Sequence, residues 1–141
     1  MTRLWFYEKP GCVGNREQLA LLQRLGYQPE VRNLLSQPWT VETLRPFFGS
    51  KPVSEWFNST APAVRNGAIE IARLEPDQAL RLMLAEPLLI RRPLLQYGSF
   101  RQSGFESGPV LIALGIPTDL LTDLNSCPVE ADRAACAVID L

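Results

Sequence analysis

The chain has no histidine among its 141 residues, and this absence excludes several kinds of active site. Without an imidazole there is no Ser-His or Cys-His pair in which a neighbouring base activates the nucleophile, and no histidine to bind a metal. We therefore predict no metal site and no bound cofactor. Any nucleophile has to be activated by its position and by nearby positive charge.

Long apolar segments, an excess of charge and a disulfide framework are missing as well. No apolar run approaches the ~20 residues that span a bilayer. With 14 basic and 15 acidic residues the net charge is -1, which gives no general attraction to nucleic acid or acidic membranes. The three cysteines, at 12, 127 and 136, are too unevenly spaced for a disulfide framework. We expect a soluble cytoplasmic protein that binds neither nucleic acid nor membranes.

The hydrophobic pattern of the first part of the chain predicts a βαβ unit. Segment 4–7 is a short apolar strand, segment 15–25 carries apolar residues at helical spacing, and segment 30–34 is a second strand. Two strands joined through a helix in this way lie parallel in one sheet.

The remainder predicts short helices and a hairpin. Proline-punctuated segments 41–47, 53–57 and 75–84 favour helices, segments 94–97 and 99–102 an antiparallel hairpin, and 110–114 a last helix. The fold class is therefore α/β. One domain over residues 1–117 accounts for these elements, and we expect residues 118–141 to form a peripheral or partly ordered tail.

A glycine-rich turn between the first strand and the first helix carries Cys12. The N–H groups at a helix N-terminus stabilise an anion, and Lys9 and Arg16 add positive charge, so the position favours a reactive thiolate. Gly11 and Gly14 allow the backbone to approach a bound oxyanion or thiol carboxylate. The alternative is that Cys12 is only a small buried apolar residue.

Two further features bear on this turn. Asn15 stands where a CxxC redox pair has its second cysteine, so any thiol chemistry in the turn uses one sulfur. The sequence Arg91-Arg92-Pro93 is either a solvated strand end or an arginine fork that binds an oxyanion or a carboxylate. The second interpretation requires the fold to bring these arginines beside Cys12.

Taken together, the cysteine turn and the segment Pro-Leu-Leu-Ile-Arg-Arg-Pro-Leu at 87–94 resemble the arsenate reductase (ArsC) family over about residues 3–116. The resemblance implies a thioredoxin-like fold, a mixed β-sheet flanked by helices with a helical insertion in the middle. It also implies that Cys12 is the nucleophile, that Arg92 is one of three arginines that hold the oxyanion, and that Pro93 is a cis-proline.

The other two arginines of the family do not match. Asn58 stands at one position, and Phe105 or a neighbour at the other, with Arg101 a few residues early. Because a buried oxyanion without charged partners is unstable by several kcal/mol, arsenate is disfavoured as a substrate. The Trp-Phe-Asn-Ser-Thr-Ala-Pro segment at 56–62 is instead similar to the nitrogenase-associated subgroup of the family.

Three hypotheses follow for the function. In the first, the protein is a thiol oxidoreductase with Cys12 and Arg92 as catalytic residues, glutathione or another small thiol as co-substrate, and an oxidised protein thiol as partner. Its thiol-binding residues are Lys9, Gly11, Gly14, Asn15, Arg16, Asn58 and Pro93. In the second, it is a non-catalytic binding or regulatory module with a nitrogenase-related partner. In the third, Cys127 and Cys136 act as resolving thiols.

Overall fold

The first strand, β1 (Leu4–Glu8), lies inside a four-stranded sheet of order β2-β1-β3-β4. The computed structural model describes residues 2–117. β1 pairs in parallel with β2 (Glu30–Asn33) and antiparallel with β3 (Leu94–Tyr97), and β3 pairs antiparallel with β4 (Phe100–Ser103). The predicted parallel βαβ unit and the predicted hairpin are confirmed, and β4 begins one residue later than predicted.

Alternation along β1 divides the apolar core between the two faces of the sheet. Leu4 and Phe6 point into one cluster together with Leu95 of β3. Tyr7 points into the other with Leu94. Both pairs are cross-strand partners, Phe6 with Leu95 and Tyr7 with Leu94, so adjacent residues of each strand stabilise opposite layers.

Two helices cover the Phe6 face. Helix α1 (Val13–Arg24) buries Leu21 and Leu22 there, and the last helix, α5 (Pro109–Ala113), buries Val110 and Leu111. α1 begins two residues before its predicted start because the residues after Cys12 already have helical geometry. α5 is displaced by one residue from its predicted range and begins with proline, which needs no N–H partner there.

The Tyr7 face is covered by the inserted middle segment. Its α-helices are α2 (Val41–Leu44), α3 (Pro62–Arg65) and α4 (Pro76–Ala85), and its short 3-10 helices span Arg45–Phe48, Val53–Glu55, Ile71–Arg73 and Pro87–Leu89. The expected helical insertion and the helix near 75–84 are confirmed. α3 and the turn at Ile71–Arg73 were not predicted, because Gly67 and polar residues interrupt the apolar pattern there.

Two of the predicted middle helices are wrong in extent. Segment 41–47 is α-helical only to Leu44 and continues as a 3-10 turn, since Pro46 has no N–H to donate to the preceding helical turn. Segment 53–57 is a 3-10 turn that ends at Glu55. Phe57 is instead extended and forms an antiparallel bridge with Ile90, so pairing with a distant segment overrides the local helical pattern.

Strand β2 forms one edge of the sheet and is largely exposed. Arg32 Nη1 lies 2.7 Å from a Glu30 carboxylate oxygen, and Arg3 lies 3.6 Å from the other. The guanidinium groups of Arg3 and Arg32 also lie 5.4 and 5.1 Å from the ring centroid of Trp5. No helix within residues 2–117 has both the length and the apolar character needed to cross a bilayer.

Substitution of Leu22 by alanine tests the packing of α1 on the sheet. Leu22 is 0% exposed in the cluster with Phe6, so Leu22→Ala should lower the free energy of unfolding by about 2–5 kcal/mol. Leu25, at the end of the same helix, is 42% exposed, and Leu25→Ala should change it by about 0.5 kcal/mol or less. Urea denaturation of both variants checks this, and similar losses would contradict the assigned helix face.

Candidate thiol site at the end of the central strand

The pairing of β1 with β3 brings the cysteine turn and the arginine-proline segment to the same end of the sheet, where β1 ends and β3 begins. Tyr7 is the cross-strand partner of Leu94. The residues that follow Tyr7 therefore run beside the residues that precede Leu94, which places Glu8 and the start of the turn next to Pro93. The Arg92-Pro93 peptide bond is cis, as the family resemblance implies, and Pro93 is buried.

Cys12 occupies the N-cap of α1, with extended backbone angles of φ -75° and ψ 123°. Its N–H donates to the Lys9 carbonyl at 3.1 Å, and its own carbonyl accepts from the Arg16 N–H at 3.1 Å. The turn passes through Gly11 at φ 85°, a left-handed conformation that glycine adopts readily. The sulfur makes no capping hydrogen bond, so it does not itself satisfy the N–H groups of the first turn.

The Cys12 side chain is buried and counts among the buried apolar residues of the core. The residue is 6% exposed and its thiol is free, yet it belongs to neither of the two apolar clusters. A Cβ placed on Gly14 would lie 3.9 Å from the sulfur, an ordinary contact distance, so the backbone of Gly14 is next to the thiol. The environment therefore agrees only in part with the interpretation of Cys12 as a small core residue.

Asn15 fixes the shape of the turn from inside. Its Oδ1 accepts from the Lys9 backbone N–H at 3.0 Å, and its Nδ2 donates to Gln18 Oε1 at 3.0 Å. Asn15 and Gln18 are 2% and 3% exposed, and Lys9 is 4% exposed. The amide of Asn15, predicted as a thiol-binding group, thus binds the Lys9 backbone and the Gln18 side chain, and it holds the turn in place.

Arg16, which was expected to add positive charge near Cys12, also acts on the carboxyl group of Glu8. Arg16 is exposed on α1, and it lies close enough to Glu8 to lower the pKa of that carboxyl. Burial has the larger, opposite effect, so the pKa of Glu8 is raised above its ordinary value of 4.5. Part of the positive potential of Arg16 is therefore directed at Glu8.

Asn58 lies beside the segment that leads to Pro93. Its N–H donates to the Leu89 carbonyl at 2.8 Å, and its Nδ2 to the Leu88 carbonyl at 3.4 Å. Its Oδ1 accepts from the N–H and the hydroxyl of Thr60, at 3.1 and 2.7 Å. The fold thus places Asn58 beside the residues that lead to Pro93, with its amide engaged in local hydrogen bonds.

The two arginines before Pro93 have different surroundings. Arg91 Nη2 lies 2.9 Å from Glu106 Oε1, so its guanidinium is directed to the loop before α5. Arg92, half-buried, is the one attached directly to the cis-proline. Arg91, one of the two arginines considered as a fork for an oxyanion or a carboxylate, therefore binds a carboxylate of this chain, that of Glu106. Phe105 is 0% exposed in the apolar core and supplies no polar group.

Several residues that shape this region were not predicted from the sequence. Gln102 of β4 is 2% exposed; its Oε1 accepts from the N–H groups of Val110 and Leu111, and its Nε2 donates to the carbonyls of Gly104 and Glu106. Lys51 contacts Glu106 from the middle insertion, 55 residues away in sequence. No local spacing indicates such long-range pairs. In the sequence, the two glycines on either side of Glu106, Gly104 and Gly108, indicate a tightly packed loop.

A four-stranded mixed sheet with helices on both faces, a cysteine at the N-terminus of the first helix and a cis-proline at the start of the neighbouring strand define a thioredoxin-like protein. The ArsC family model matches residues 7–112, and the chain belongs to that family.

Individual relatives agree with this assignment. An uncharacterized 15.7 kDa protein from the draG 3' region of Rhodospirillum rubrum is 42% identical over 97% of this chain and 96% of its own length. The arsenate reductase ArsI2 of Synechocystis is 28% identical over 63% of this chain and 65% of its own. The solved arsenate reductase of Vibrio cholerae superposes with a TM-score of 0.65 at 25% identity, over 82% of this chain and 98% of its own. The chain is thus a distant relative of arsenate reductases.

Removal of the Asn15 amide should loosen the cysteine turn. In Asn15→Ala the Lys9 N–H and Gln18 Oε1 both lose a buried partner, so the free energy of unfolding should fall by about 1–3 kcal/mol. Asn66 is the matched control, because its Oδ1 accepts from the Ala68 N–H at 2.9 Å in an exposed turn. Asn66→Ala should change stability by about 0.5 kcal/mol or less. Equal losses in the two variants, measured by urea denaturation, would remove the special role of Asn15.

The raised pKa of Glu8 predicts a pH-dependent stability. The native state keeps a proton that the unfolded chain releases near 4.5, so this residue lowers stability as pH rises from there through the raised native value. Glu8→Gln should therefore raise the melting temperature at pH 7, and the gain should disappear below about pH 4.5. The control is Glu17→Gln, which makes the same change of charge at an exposed position of α1. A constant effect of Glu8→Gln at all pH values would contradict the assignment.

Proposed function

We propose that this protein is a single-cysteine thiol oxidoreductase that uses glutathione as its co-substrate. The observation that carries the proposal is the position of Cys12 at the N-cap of α1, beside the start of the cis-proline strand. A helix N-terminus favours the anionic form of a thiol. Within residues 2–117, Cys12 is the one cysteine, so a mechanism in this domain uses a single sulfur.

The reaction consists of two thiol–disulfide exchanges. The Cys12 thiolate attacks the glutathione sulfur of a protein–glutathione mixed disulfide; a new disulfide bond joins Cys12 to glutathione, and the protein sulfur leaves as a thiolate. A second glutathione thiolate then attacks the glutathione sulfur bound to Cys12. This step releases oxidised glutathione and returns Cys12 as a thiolate. Overall, the protein disulfide is reduced and two glutathione units leave as their disulfide, so the electrons balance.

The residues around Cys12 have distinct roles in this proposal. Arg92 and the N–H groups of the turn bind the glutathione carboxylates, since a guanidinium binds a carboxylate well. Gly11 and Gly14 allow the bound thiol to approach the backbone. Asn15 and Asn58 keep the two sides of the site in place through their hydrogen bonds to Lys9 and Leu88.

Arsenate is a weaker candidate for the substrate. Of the cations that an oxyanion requires, Arg92 is present, Arg91 is paired with Glu106, and Asn58 and the buried Phe105 carry no charge. Glutathione carries two carboxylates, but its ammonium group offsets one of them, so it brings less net negative charge into the site than the arsenate dianion and needs fewer cations. The relatives named as arsenate reductases are 28% identical or less.

A second candidate is a binding or regulatory module associated with nitrogen fixation. Two observations favour it: Cys12 is 6% exposed, and the gene of the Rhodospirillum rubrum relative lies in the draG 3' region. Such a module would capture a nitrogenase-related protein without the Cys12 thiol. The third hypothesis rests on Cys127 and Cys136, which lie outside the described residues, so it stays a sequence-based prediction.

Replacement of Cys12 by serine separates these candidates. In an assay of glutathione with a glutathione–mercaptoethanol mixed disulfide, the wild type should form oxidised glutathione and Cys12→Ser should fall to the uncatalysed rate. The matched control is the double variant Cys127→Ser/Cys136→Ser, which should retain activity. An arsenate reduction assay runs in parallel. Equal rates for wild type and Cys12→Ser would contradict the proposed chemistry, and undiminished capture of a nitrogenase-related protein by Cys12→Ser would favour the binding module.

A further inference from the structure

Two cations converge on a single carboxylate oxygen near the cis-proline. Lys51 Nζ lies 2.8 Å and Arg91 Nη2 lies 2.9 Å from the same Oε1 of Glu106. The side chains are partly buried, with Lys51 and Arg91 each 23% exposed and Glu106 31% exposed. Distances this short are typical of charge-assisted hydrogen bonds.

The cations are also held by contacts that do not involve Glu106. Lys51 Nζ donates to the Ser103 carbonyl at 2.7 Å. The Arg91 backbone N–H donates to the Trp56 carbonyl at 2.9 Å, and Trp56 Nε1 donates to the Lys51 carbonyl at 2.8 Å. Lys51 and Arg91 are therefore linked through Trp56, which is 1% exposed, so their backbones stay close together whatever occupies the space between their side chains.

Gly104 leaves room for this arrangement. Its φ is 82°, and a Cβ at that position would lie 2.8 Å from Glu106 Oε1 and 2.9 Å from Arg91 Nε. The Gly104 N–H donates to the Pro93 carbonyl at 2.9 Å, so the same loop also contacts the cis-proline. The loop that carries Glu106 is thus hydrogen-bonded to Pro93, at the end of the sheet where the thiol site lies.

We propose that Lys51 and Arg91 form a binding site for a tetrahedral oxyanion, and that Glu106 fills this site with its own carboxylate. Glu106 is then a specificity-determining residue, because it excludes inorganic oxyanions from the cis-proline side of the thiol site. This inference rests on the proposed function, since exclusion of oxyanions suits an enzyme whose substrates are thiols and disulfides.

The electrostatics support this assignment. Lys51 and Arg91 bring two positive charges and Glu106 removes one of them. Because Glu106 belongs to the same chain, its carboxylate is present at a high effective concentration, and a free anion in solution competes poorly with it. A neutral amide at position 106 removes the carboxylate charge from both cations, while the contacts with Trp56 and Ser103 keep their positions.

Sulfate titration of Glu106→Gln tests the inference, with sulfate chosen because it does not react with the thiol. By calorimetry at low ionic strength, Glu106→Gln should bind sulfate at least about tenfold more tightly than the wild type. Adding Lys51→Met to Glu106→Gln should abolish the gain. The exposed Glu55 is the matched control, since Glu55→Gln makes the same change in net charge and should leave sulfate affinity at the wild-type value.

Three results would overturn the inference: no gain in Glu106→Gln, an equal gain in Glu55→Gln, or a gain that survives Lys51→Met. Thermal melting establishes that the variants are folded. If Glu106→Gln does not fold, Glu106→Asp replaces it; the shorter side chain withdraws from the two cations and should give a smaller gain, whereas wild-type affinity would refute the site. The titration needs no turnover, so its outcome is independent of the Cys12 assay.

Discussion

The antiparallel pairing of β1 with β3 is the constraint on which the other features of this domain depend. Its register, with Phe6 opposite Leu95 and Tyr7 opposite Leu94, assigns alternate residues of both strands to opposite layers of the core. The same register fixes the residues that continue past the paired segment. Glu8 and the cysteine turn follow one strand, and Pro93 precedes the other, so segments some eighty residues apart in sequence meet without any direct covalent link.

Side-chain amides hold the loops that this register brings together. Asn15 binds the backbone of the cysteine turn, Asn58 binds the backbone that leads to the cis-proline, and Gln102 binds the start of α5. An amide carries both donors and acceptors, so it satisfies backbone N–H and carbonyl groups that short, irregular segments leave unpaired. These three residues therefore stabilise the geometry of the loops that they join.

The elements that the sequence predicted well are those whose pattern is local. Leu4 to Tyr7, the leucines of α1 and the turn at Gly98 carry strand, helix and hairpin signals within a few residues, and all three elements are present. Helix lengths in the insertion were predicted poorly, since Pro46 and the Phe57–Ile90 bridge end helical turns that the apolar spacing favours. The site shows the same division: Cys12 and Pro93 stand in recognisable motifs, whereas the Lys51, Arg91 and Glu106 contacts join three distant segments and have no local signature.

The charged edge of the sheet has a consequence for the behaviour of the protein at high concentration. β2 offers only a short row of unpaired backbone groups, and Glu30 and Arg32 on that strand form an ion pair that Arg3 extends. Another chain that added a strand there would have to desolvate these charges or separate them. The edge therefore discourages intermolecular strand addition, and aggregation of the folded state through β2 is disfavoured.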